Sequence, residues 1–134
     1  AVKHGRTDLY PTDLKARAQV EAWMDWGQTD LYRGVRAPFL GLVAKIPAFQ
    51  DQKLIEEGIA DWTQQMQRLD AHLAEHGPYL MGDTFTLADI PVGLIVNRWF
   101  CVPFDKPELK AVSAYYDRLA ERPAYRLHGR NGTP

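Results

Sequence analysis

Apolar side chains recur at helical spacing along nearly the whole chain, and no stretch alternates with the period of a half-buried strand. The clearest stripe is Ile55, Ile59, Trp62, Met66, Leu69 and Leu73, at intervals of 4, 3, 4, 3 and 4. It predicts a helix from about Asp51 to Glu75, ended by Gly77-Pro78. Upstream, Pro11-Thr12-Asp13 is a start signal, and Ala16, Val20, Trp23, Gly27 and Leu31 carry a second stripe to about Val35. Gly34, Pro38 and Gly41 predict a bent or broken end there, and Pro47 a loop. A third helix is expected from Leu87 to about Arg98, bent in its first turns by Pro91. Leu109, Val112, Tyr116 and Leu119 predict a fourth that closes near Arg122-Pro123, with a short terminal helix from Ala124 and a frayed end from Arg130 to Pro134. The reading is an all-α bundle of about five helices around one core, with no linker to divide it.

The start of the third helix is written in the most detail. Thr86 and Asp89 stand at the spacing where a hydroxyl N-cap and an acidic N3 residue bond each other's backbone N–H groups. Phe85 and Ile90 occupy the flanking positions of a hydrophobic staple. A carboxylate at N3 also suits the positive end of the helix dipole, so Asp89 reads as a structural cap and not as a catalytic acid.

At 134 residues the chain is large enough for one well-buried core. A net charge of −1 supplies no general attraction to nucleic acid or to anionic lipid. The one cysteine, Cys101, lies in the apolar run Trp99-Phe100-Cys101-Val102 and reads as a buried, inert thiol. No span is long and apolar enough for a bilayer, and no secretory leader opens the sequence, so a reducing cytoplasm is expected. The chain begins at Ala1 and not at Met, which suggests a piece of something longer.

Other polar patterns have bland readings. His72 and His76 have the spacing of a two-histidine metal face, but no third ligand accompanies them and they end a helix; no metal site is expected. Arg118, Arg122, Arg126 and Arg130 recur every fourth residue, yet Pro123 interrupts them, and solvated arginines are the better account. Glu56, Glu57 and Asp61 lie off the apolar stripe and form a wet face. Trp23, Trp26, Trp62 and Trp99 have no basic surface beside them, so packing is preferred over base stacking.

The ordered segments resemble the all-helical C-terminal domain of the glutathione transferase superfamily, closest to bacterial theta-like members. Tyr79-Leu80-Met81-Gly82 followed by Thr86-Leu87-Ala88-Asp89-Ile90 is similar to that family's most recognisable helical segment. Arg17-Ala18, Trp23 and Trp26 resemble its first long helix. Arg98-Trp99, Pro103, Leu109, Tyr116, Arg118-Leu119, Arg122-Pro123-Ala124-Tyr125 and His128 resemble its closing part. Ala1-Val2-Lys3-His4-Gly5 looks like the end of a preceding thioredoxin-like domain, with Arg6 to Pro11 as linker; residues 1–11 would then be a remnant and 12–134 the helical domain. Pro91 departs from the family pattern.

The resemblance implies the second half of a two-domain enzyme that adds glutathione, as co-substrate, to electrophilic compounds. The thioredoxin-like domain, absent here, would hold glutathione and the residue that steadies its thiolate, so no catalytic residue is expected in this chain and the fragment alone is expected to be inactive. By segment match, one wall of the electrophile pocket falls at Tyr32, Arg36, Phe39 and Leu40. Thr29 falls where theta-like relatives reach glutathione across a homodimer. Two other readings compete: a non-catalytic protein-interaction module of the same fold, as in translation elongation factors, and a ligand-carrying bundle.

Overall fold

The computed structural model describes all 134 residues, Ala1–Pro134, and every regular element in it is helical. Helix α1 (Leu14–Trp26) opens on Asp13, whose carboxylate accepts the Ala16 N–H at 2.8 Å. It does not stop near Val35. A wide turn of π-helix (Gly27–Leu31) leads into α2 (Tyr32–Pro38), and a second (Phe39–Val43) follows. The joints at Gly27, Tyr32 and Phe39 all keep right-handed helical backbone, so Leu14 to Val43 form one rod.

Long-range packing explains why Gly34, Pro38 and Gly41 do not break this rod. A Cβ on Gly34 would lie 2.5 Å from the Trp62 backbone nitrogen, and one on Gly58 would lie 2.6 Å from the Pro38 ring. The missing side chains and the proline ring are thus the contact surface through which α2 crosses α3 (Gln52–His76). A Cβ on Gly41 would meet the Phe49 carbonyl at 2.5 Å, where a 3-10 turn (Pro47–Phe49) brings the chain back.

Helix α3 is capped by Asp51, which accepts the Leu54 N–H at 3.2 Å, and Gly77 leaves it with φ 119°. The loop that follows carries one isolated antiparallel bridge, Tyr79 to Gly82, and no strand. Helix α4 (Asp89–Cys101) starts two residues later than the sequence suggests and runs three further. Its lead-in is wound tightly: Asp89 N–H bonds the Thr86 carbonyl at 3.2 Å and Ile90 N–H bonds that of Leu87 at 3.3 Å. Pro91 therefore falls in the first α-helical turn, where a missing N–H is tolerated. Helices α5 (Lys110–Leu119) and α6 (Pro123–His128) complete the bundle. Counting the first rod once, the architecture is five helices.

One cluster forms the core. Trp62, Met66 and Leu69 of α3 meet Val92, Val96 and Trp99 of α4, with Val20, Leu31 and Val35 of the first rod and Val112, Tyr115 and Leu119 of α5. Trp62 and Trp99 stand edge to face at 5.3 Å, so two of the four tryptophans are core. Burial of this cluster, at about 25 cal/mol per Å² of apolar surface, is what holds the short α5 in helical form, and α6 packs against it through half-buried Tyr125.

Candidate functional site

A groove of about 340 Å³ runs between the first rod and α4. Met24, Gln28 and Tyr32 form one wall; Ile90, Leu94, Ile95 and Arg98 form the other. Val92, Val96 and Trp99 turn inward to the core, which places Ile90, Leu94 and Arg98 together on the opposite face at every fourth position. Ile90 is 45% exposed and Leu94 38%, so this is an uncovered apolar ridge with a cation at one end.

The ridge has a hollow on its other side as well. Leu9, Phe85, Arg122, Tyr125 and His128 enclose about 280 Å³ there, again against Ile90 and Leu94. The Arg122 guanidinium lies 3.7 Å above the Phe85 ring, and Phe85 meets Tyr79 edge-on at 5.8 Å. The residues expected to close a staple thus share a hollow, with Ile90 partly exposed. The N-terminal segment reaches this face: the Leu9 carbonyl accepts the Leu87 N–H at 2.9 Å, and the Tyr10 hydroxyl donates to the Glu21 carboxylate.

Of the residues matched to an electrophile wall, Tyr32 lines the groove and is 44% exposed. Phe39 adjoins it through Arg98, whose guanidinium carbon sits 5.4 Å from the ring centre. Arg36 is exposed and stacks on Phe49 at 5.3 Å; Leu40 is half-buried, its carbonyl accepting the Ile46 N–H at 2.9 Å. Neither lines the groove. Thr29 is exposed, and its hydroxyl donates to the Asp25 carbonyl at 2.8 Å, one turn back on the same helix. Met24, Leu94 and Arg98 are not among the residues matched to a pocket wall, and Ile90 enters the sequence reading only as a staple partner of Phe85. The period-four run of Ile90, Leu94 and Arg98 was the available signal, masked by the stronger core stripe beside it.

Electrostatics separate this surface from the interior. Asp89 is fully buried, and burial pushes its carboxyl above the ordinary range, opposed by hydrogen bonds from Thr86, Leu80 and Tyr115. Burial also raises the Cys101 thiol, against the neighbouring Lys106 ammonium, which does not suit a nucleophile. His72 bonds the Leu80 carbonyl at 2.9 Å and stacks on His76, with the Trp23 ring tilted against it. Arg126 donates to the Ala120 carbonyl at 2.8 Å, and Arg130 pairs with Asp117 at 2.6 Å. Three of the four arginines in the series are therefore spent on local contacts, and Arg118 is exposed. A further groove of about 390 Å³, between α1 and α3, is lined by Trp23, Trp26, Leu69 and Arg68.

The family model for the glutathione S-transferase C-terminal domain matches residues 35–123. The chain belongs to this family. Glutathione S-transferase GstB of Escherichia coli K12 is 30% identical over 126 residues, covering 94% of this chain and 60% of that one. Glutathione S-transferase F9 of Arabidopsis thaliana is 31% identical over 129 residues, covering 89% and 57%. The crystal structure of a theta class glutathione S-transferase from Xanthomonas axonopodis pv. citri superposes with a TM-score of 0.83 at 36% identity, over 91% of this chain and 64% of that one. A second structure of that enzyme, with glutathione bound, matches equally well. The chain thus spans about 60% of the length of the curated relatives it matches. The all-α bundle is a glutathione transferase helical domain, and none of its helices is long and apolar enough to cross a membrane.

Proposed function

We propose that this helical domain supplies the electrophile side of a glutathione-conjugating site, while a thioredoxin-like domain holds glutathione and steadies its thiolate. One observation carries the reading: the uncovered ridge of Ile90 and Leu94, with Tyr32 across the groove and the N-terminal segment tied to the same face through Leu9. An apolar hollow with few polar anchors is the usual form of a small-molecule site. A chain arriving at Leu9 delivers any preceding domain to its edge.

The division of labour follows from thiol chemistry. A sulfur is nucleophilic as thiolate, and its ionisation near neutral pH needs a donor or a positive charge beside it. The hydroxyls of buried Tyr115 and half-buried Tyr125 are both pushed up in pKa by burial and bonded to Asp89 and to the Gly93 carbonyl, so neither is free for that task. With the thiol-activating residue assigned to the thioredoxin-like domain, the 134-residue chain alone is inactive in this reading. Tyr32 and Phe39 face the electrophile, Arg36 and Leu40 stand at the rim, and Thr29 approaches glutathione of a neighbouring subunit. The full-length protein is a homodimer in this reading, as the role given to Thr29 requires. The unpaired Cys101 fits a reducing cytoplasm.

The test is a fusion of this chain to the thioredoxin-like domain of a bacterial theta-class enzyme. Conjugation of glutathione to 1-chloro-2,4-dinitrobenzene is expected, with a KM that rises in Tyr32→Ala and Phe39→Ala. A folded fusion that binds glutathione without turnover, and instead forms a stable complex with another protein, would favour the docking-module reading.

A further inference from the structure

Arg98 is the half-buried arginine of this chain that has no acceptor. Arg6, Arg33 and Arg130 are paired with carboxylates, and the half-buried Arg17 donates to the Pro11 carbonyl at 3.0 Å. Arg68 and Arg126 also have acceptors, in Gln65 and Ala120. Arg36, Arg118 and Arg122 are exposed, where water serves their N–H groups. Arg98 has neither an ion pair nor a side-chain hydrogen bond. The last turn of α4 favours its charge, and the Phe39 ring at 5.4 Å supports the guanidinium. Stacking occupies a face of the guanidinium and leaves N–H groups on its edge, the part that pairs with a carboxylate in two parallel hydrogen bonds.

The surroundings of that edge are mixed. Met24, Leu94 and Ile95 line the groove with apolar surface, and Gln28 and Tyr32 add uncharged polar groups. No acidic side chain lines the groove. A bound molecule with an apolar body and one carboxylate would satisfy both parts at once.

We infer that the groove takes an electrophile bearing a carboxylate on an apolar or aromatic body, with Arg98 as the specificity-determining residue. The carboxylate lies on the Arg98 edge and the body along Met24, Leu94 and Ile95. The reacting carbon is elsewhere on the molecule, and Arg98 positions the substrate without joining in bond making. This rests on the reading of the groove as the electrophile side. A second carboxylate source is glutathione itself, and the experiment separates the two.

The experiment measures binding to the 134-residue chain by saturation-transfer NMR, with 4-chloro-3-nitrobenzoate, its methyl ester and glutathione as probes. The acid is expected to bind wild-type chain about tenfold or more tightly than the ester, the size of effect a charge-assisted pair supplies. Arg98→Gln is expected to remove that preference, Arg98→Lys to keep part of it, and glutathione to leave the benzoate bound. Equal binding of acid and ester to the wild-type chain overturns the inference without any variant. So does an unchanged preference in folded Arg98→Gln, or displacement of the benzoate by glutathione. Conjugation by the fusion with no preference for acids contradicts this inference alone, whereas acid binding without conjugation contradicts only the transferase reading.

Discussion

The Tyr115 hydroxyl donates to Asp89 Oδ1 at 3.0 Å, joining α5 to the start of α4 across 26 residues of sequence. The same oxygen accepts the Leu80 N–H at 3.1 Å, and Oδ2 accepts the Thr86 N–H at 2.7 Å. The Thr86 hydroxyl donates to Oδ2 at 3.3 Å and accepts the Ala88 N–H at 3.3 Å. Asp89 thus does more than close a helix end. It binds three parts of the fold at a fully buried position.

Removing it should cost more than a surface cap would. Asp89→Ala leaves the Leu80 and Thr86 N–H groups buried without this partner. At about 1–3 kcal/mol per orphaned group, a loss of about 3–5 kcal/mol is expected from urea denaturation. Tyr115→Phe should lose about 1.5–3 kcal/mol, the value of one hydrogen bond to a charged group. The double variant should lose less than the sum, because both changes remove one shared bond.

The pH dependence has a definite sign. Burial, the largest influence, raises the Asp89 carboxyl above its ordinary 3.8, so the folded state holds this proton more tightly than the unfolded state does. The stability that the carboxyl contributes is complete below 3.8 and falls as the pH rises through the folded value. Thermal unfolding of wild type and Asp89→Ala should therefore differ most at acid pH, with the gap narrowing toward neutrality. A gap that widened with rising pH would show that the hydrogen bonds outweigh burial.

Gly34→Ala should damage the crossing of α2 and α3. The new methyl carbon would stand 2.5 Å from the Trp62 nitrogen and 2.7 Å from its Cα, backbone atoms that cannot rotate away. A loss of about 1–3 kcal/mol is expected, as for overpacked cores, together with a change in the near-ultraviolet circular dichroism of Trp62.

Asp117→Ala is the contrasting case. Its ion pair with Arg130 is short, but the Asp117 side chain is 71% exposed. A change below about 1 kcal/mol is expected in the same denaturation assay.

The sequence made the elements legible because their signals are local. Asp51, Gly77 and the stripe from Ile55 to Leu73 define α3 within one stretch of chain, and Thr86 with Asp89 marks the entry to α4. What it hid depends on partners far along the chain. Gly34 and Pro38 look like helix breakers until Gly58 and Trp62 are brought against them. Phe85 and Ile90 have staple spacing, yet Tyr79 and Arg122 engage the Phe85 ring from other segments. Of the four residues matched by segment to an electrophile wall, Tyr32 lines the groove, while Arg98 acquires meaning only where α4 lies beside Phe39.

The most direct test is glutathione conjugation by the purified 134-residue chain, with 1-chloro-2,4-dinitrobenzene as acceptor. The account predicts a rate no higher than the uncatalysed background for this chain, and turnover once a thioredoxin-like domain is joined to it. Enzymatic turnover by the helical chain alone would contradict it.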